Sequence, residues 1–108
     1  MKRLLLVFLL LLLGCGGNPS STPVIPFVQH EVSLSWNSSL SNGVIGYNVY
    51  RGNISGGPYT RLNSSVELGL LYEDFSVQSK LVYFYVVTAV GDNSEESLFS
   101  EEIKAEIP

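Results

Sequence analysis

From Pro23 onward, apolar residues recur at alternate positions in short segments separated by turn clusters, and this period admits strands and little else. In Glu31–Trp36, Val32, Leu34 and Trp36 fall on one side and Glu31, Ser33 and Ser35 on the other. NSSLSNG is a turn cluster, after which Ile45, Tyr47 and Val49 repeat the alternation in VIGYNVYR. GNISGGP is a second loop, followed by the short YTRLN. A strand is expected around ELGLLYEDF with Tyr72 as its core residue. LVYFYVVTAV is β-branched or aromatic at nearly every position, so it belongs in the middle of a sheet. In the last segment Ile103, Ala105 and Ile107 oppose Glu102, Lys104 and Glu106. No window has helical periodicity and no repeat is present, so the expected class is all-β.

The N-terminus obeys a different rule. Lys2 and Arg3 precede ten unbroken apolar residues, Leu4 to Leu13, and then Gly14 and Cys15. A helix needs about 20 residues to span a bilayer, so this is the anatomy of a secretory signal peptide over residues 1–14. Its end, LLGC, resembles the lipobox of bacterial lipoproteins. That resemblance implies cleavage between Gly14 and Cys15 and diacylglycerylation of the Cys15 thiol, which anchors the chain in a membrane. A lone cysteine in an exported chain also fits a free thiol or an intermolecular disulfide, but neither accounts for the leucine run. Gly16 in place of an aspartate implies outer-membrane sorting where two membranes exist.

Residues 15–22 carry the anchor and a Gly-, Pro- and Ser-containing linker, and residues 23–108 have the length of one domain. Without residues 1–14 the chain keeps four basic against ten acidic side chains, a net charge of −6. Such a chain has no electrostatic footprint for nucleic acid, and anionic lipid repels it, so lipid and not a basic patch must hold it down.

SLSW, GYNVYRG, GGPYTRLN, LYED and YFYVVTAV, in that order, resemble a fibronectin type III domain. The resemblance implies an immunoglobulin-like β-sandwich of seven antiparallel strands, with A, B and E facing C, C′, F and G and no disulfide. By the same resemblance Trp36 is the buried tryptophan of strand B. Tyr83 is the tyrosine-corner residue at the start of strand F, with Tyr85, Val87 and Ala89 facing inward beside it. Leu70 and Leu71 depart from the Thr or Ser expected there.

Nothing in the chain assembles a catalytic centre. His30 is the single histidine, no G-x-S-x-G motif occurs, and Asp92, Glu95 and Glu96 lack the spacing of a calcium loop. Arg51-Gly52-Asn53 reads as a turn, and the sequons at Asn37, Asn53 and Asn63 read as polar loops. No metal or cofactor is expected, and the chain is expected to be monomeric and not an enzyme. With Tyr83, Tyr85 and Val87 inward, Phe84, Val86 and Val90 point outward beside Tyr50, and Tyr50, Phe84 and Val86 form a candidate partner face. The expected role is a lipid-anchored cell-envelope module that binds or spaces a protein or glycan partner. The alternative is an accessory domain of a separately encoded extracellular hydrolase, or a fragment of a larger secreted enzyme.

Overall fold

In the computed structural model, which describes residues 8–14 and 29–108, the alternating segments form two antiparallel sheets without a helix. The strands are β1 (Phe8–Gly14), β2 (Gln29–Ser35), β3 (Val44–Gly52), β4 (Thr60–Arg61), β5 (Leu71–Asp74), β6 (Val82–Gly91) and β7 (Ile103–Glu106). One sheet has the order β1-β2-β5 and the other β4-β3-β6-β7. β6 lies inside its sheet, where its continuous apolar sequence calls for burial on both sides.

Residues 29–108 contain six strands. The strand expected to open the domain from Pro23, the linker over 15–22 and Cys15 all fall outside the described residues. β1 comes instead from the leucine run read as a leader. Its backbone runs antiparallel to β2, with Phe8 opposite Ser35 and Gly14 opposite Gln29.

Between the sheets, Val32, Leu34 and Trp36 meet Tyr47, Val49, Tyr83, Tyr85, Val87, Ala89 and Ala105, and all are buried. Trp36 packs against Tyr47 with ring centroids 5.5 Å apart. Two positions differ from the sequence reading. Ile45 does not continue the inward row and is 49% exposed. The pairing of β3 with β6 shifts register between Val44 and Gly46, so Val44 packs on the core in its place. The cause is local: Glu67 crosses over Gly46, exchanging backbone hydrogen bonds with Tyr47 at 2.9 Å, and a Cβ on Gly46 would lie 2.8 Å from the Glu67 carbonyl oxygen. Tyr72 is half-buried and not fully enclosed, because β5 is a four-residue strand at the edge of its sheet.

Two polar devices close the sandwich. The Tyr83 hydroxyl accepts a hydrogen bond from the Gln78 N–H at 2.9 Å, five residues back, so the ring fills the core while the phenol pins the preceding turn. Asp74, 3% exposed, links the sheets from β5. Its Oδ2 accepts hydrogen bonds from Tyr85 OH at 2.6 Å and Arg51 at 2.7 Å, and its Oδ1 accepts from the Ser76 N–H at 3.0 Å and hydroxyl at 2.6 Å. The Arg51 guanidinium also lies 5.0 Å over the Tyr83 ring, joining the two devices.

Burial pushes the Asp74 pKa up, but hydrogen bonds from Ser76, Tyr85 and Arg51 outweigh it and hold the carboxyl below its ordinary value. Burial, and then Asp74, raise the Tyr85 phenol.

Trp36→Ala is expected to cost about 3–5 kcal/mol through lost transfer energy and the cavity left behind, measurable by urea unfolding followed by circular dichroism. A second expectation concerns pH. A depressed folded-state pKa contributes stability that is present above the unfolded value, about 3.9, and is lost as pH falls through the folded value. Stability should therefore decline on acidification below about pH 4. Asp74→Asn should cost about 1–3 kcal/mol at neutral pH and flatten that decline in part, because Glu96 and Glu102 are also lowered.

Candidate binding face

The outer face of the four-stranded sheet is shaped by an irregularity in the chain leading to β7. Ser97 lies opposite Ala89, Ser100 opposite Val87 and Ile103 opposite Tyr85. Each step takes three residues against two on β6, which is the count of a bulge. Serine makes the two slips possible. The Ser97 hydroxyl accepts from the Ala89 N–H at 2.8 Å, and the Ser100 hydroxyl accepts from the Val87 N–H at 2.9 Å, each replacing a displaced strand carbonyl. The residues between them, Leu98 and Phe99, are exposed.

Phe99 stands between two tyrosines. Its ring centroid is 5.3 Å from Tyr50 and 5.2 Å from Tyr59, edge to face with both. A carboxylate holds each phenol. Glu96 accepts from Tyr50 OH at 2.7 and 2.9 Å, from Thr88 Oγ1 at 3.1 Å and from the Asn48 amide. Glu102 accepts from Ser55 Oγ and the Gly56 N–H, both at 2.7 Å, and from Tyr59 OH. Burial raises the Glu96 pKa, but bonds from Asn48, Tyr50 and Thr88 lower it further, and Ser55, Tyr59 and Gly56 lower Glu102. Partial burial and Glu102 push the Tyr59 phenol up to about 12. The face therefore carries two ionised carboxylates with neutral phenols attached.

Of the partner face expected from the sequence, Tyr50 is part of this row, whereas Val86 is 1% exposed. Val86 does lie on the outer side, directly opposite Tyr50, but the sheet surface there is covered and Val86 presents no area. Val90 is buried as well, and Phe84 is half-buried between Gly52 and Lys104. Phe99 and Tyr59 are the residues that the sequence reading missed. Strict alternation from Ile103 puts Phe99 inward, and only the paired serines hint at the slip.

The other candidates separate. Arg51 is paired to Asp74, Asn37 and Asn53 are exposed, and Asn63 is buried, so its amide is no acceptor for a sugar. The Asn63 Oδ1 accepts from the Val49 N–H at 2.8 Å while its Nδ2 donates to the carbonyls of Tyr47 at 3.1 Å and Ser65 at 2.9 Å. His30 is half-buried on β2, and Glu96 turns away from Asp92 into the aromatic row. Among the described residues no three His, Cys, Asp or Glu side chains cluster as a metal site. Two open grooves, of about 360 and 470 Å³, are lined without a carboxylate, imidazole or thiol.

No family model matches the chain. It is 39% identical over 75 residues to an amylopullulanase of Thermoanaerobacter thermohydrosulfuricus and 41% identical over 70 residues to one of Thermoanaerobacterium saccharolyticum. These alignments take in 69% and 65% of the chain but only 5% of either enzyme. Among solved structures, a Fn3-like protein from Clostridium thermocellum is 36% identical with a TM-score of 0.63, over 72% of this chain and 77% of that one. A β-1,2-glucanase from Parabacteroides distasonis shares the fold at 24% identity and a TM-score of 0.59, with 11% of its length matched.

Ser100→Ala removes the acceptor of the buried Val87 N–H, so it should destabilise the chain by about 1–3 kcal/mol. Hydrogen exchange should localise the loss of protection to Val87.

Proposed function

This chain belongs to the fibronectin type III-like family, and from that premise we propose that it is a non-catalytic module, lipid-anchored through Cys15 at a bacterial cell envelope, that serves extracellular polysaccharide hydrolysis as an accessory domain. The observation that carries the reading is the pattern of similarity: the chain matches a small segment of two amylopullulanases, one-twentieth of each, and a Fn3-like protein along most of its length. The neighbouring features support it. The sandwich places side chains for packing and surface display, while the acidic charge and the LLGC sequence suit an exported chain held by lipid. The same pattern favours one other form of this reading, in which the module works as a segment of a longer secreted enzyme.

Labelled palmitate distinguishes the anchor. The full chain should incorporate the label and fractionate with membranes, outer membranes where there are two, and Cys15→Ser should be unlabelled and released. An unlabelled, soluble wild-type chain overturns the anchor. For the accessory role, deletion of the chain should lower hydrolysis of external polysaccharide by intact cells, and an unchanged rate overturns it.

A further inference from the structure

We infer that the row Tyr50–Phe99–Tyr59 is a binding site for a neutral polysaccharide. This rests on the accessory-module reading for its setting but on the geometry of the outer face for its chemistry. Phe99 is 44% exposed and lies outside the core cluster, yet two bulges and two serine hydroxyls hold its segment in place. The packing of the sandwich does not require an aromatic ring there. Its position is set from both sides, by Tyr50 and Tyr59, whose hydroxyls are themselves tied to Glu96 and Glu102. Such a row loses little conformational entropy when it binds, because its side chains are already ordered.

The chemistry of the row selects the ligand class. Aromatic faces carry negative quadrupole density and suit the polarised C–H face of a pyranose, which also needs polar groups at its rim for its hydroxyls. The rim supplies both kinds: the ionised Glu96 and Glu102 as acceptors, and Arg61, opposite Tyr50 on β4 and exposed, as a donor. Charge decides between glycans. Two carboxylates held below their ordinary pKa, on a chain of net charge −4, repel a polyuronate and leave a neutral chain of sugars as the occupant.

Affinity electrophoresis of the detergent-solubilised full chain tests this, in native gels containing pullulan, amylopectin or polygalacturonate. Pullulan or amylopectin should retard the wild type and polygalacturonate should not. Phe99→Ala should weaken retention by about tenfold or more, as truncation of an aromatic anchor does. Phe99→Leu, which keeps an apolar side chain but removes the ring face, should fail likewise while melting at the wild-type temperature. Absence of retardation in both neutral gels, retardation by polygalacturonate alone, or equal retention of Phe99→Leu and wild type each overturns the proposal. A cationic protein cross-linked through this face, with no glucan retardation, overturns the glycan and leaves the accessory role standing. Retardation that persists where deletion has no effect on polysaccharide hydrolysis overturns the role and leaves the site.

Discussion

The tie from Asp74 to Tyr85 and Arg51 is the contact on which the two sheets depend for their alignment. Among the described residues Asp74 is the one carboxylate that is buried, and it sits on a strand of four residues that pairs with β2 alone. So short a ladder holds an edge strand weakly. A buried carboxylate costs several kcal/mol in desolvation and is stable only where donors fill its lone pairs. Asp74 has four, from Ser76, Tyr85 and Arg51, and two of the three residues belong to the opposite sheet. Displacing β5 would break the bonds from Tyr85 and Arg51 together, while the two from Ser76, only two residues along, could move with the strand. The consequence reaches further, because Arg51 lies over Tyr83, and Tyr83 fixes the turn at Gln78. One carboxylate thereby sets the spacing of the sheets at one end and the path of the chain between β5 and β6.

Elsewhere the fold relies on the same principle in another form, with side chains standing in for backbone. Asn63 supplies both an acceptor and donors beside β3, where the chain after β4 has left the ladder. Ser97 and Ser100 supply acceptors beside β6, where the approach to β7 is too long for regular pairing. Each substitution satisfies a buried N–H that would otherwise be orphaned, and each frees the neighbouring residues from strand geometry. The exposed position of Phe99 follows from that freedom. The candidate binding face is thus a product of irregular pairing on a regular sheet.

Period-two patterning is informative only while the register holds. It identifies Val32, Leu34, Tyr47 and Val49 because the strands carrying them run without a slip across those positions, and Trp36 continues the inward row one residue past the end of β2. It misplaces Ile45, since the bulge before Gly46 comes from a crossing loop that is distant in sequence. Phe99 is lost for the same reason, because the single slip between Ile103 and Ser100 inverts the side on which it falls. Asn63 looks like a glycosylation sequon and Asp74 like an ordinary acidic residue, because burial of a polar side chain depends on what folds over it. Tyr83 was legible through the family resemblance, which carries the tertiary information that alternation lacks.

The pairing of β1 with β2 bears on the anchor. Residues 8–14 belong to the stretch read as a leader, and their backbone pairs along one edge of β2 from Gln29 to Ser35. The core does not hang on that edge. Val32 and Leu34 bury their side chains against the opposite sheet, and β5 pairs the other edge of β2 through Val32–Ser35. Along the β2 edge β1 pairs through the backbone, and the backbone groups of an open strand edge are hydrogen-bonded by water instead. Under the proposed cleavage after Gly14, β2 would become an edge strand, and an edge of that kind is safest when short and polar. In the sequence of that strand, Glu31, Ser33 and Ser35 alternate with Val32 and Leu34, so every second residue along the edge is polar.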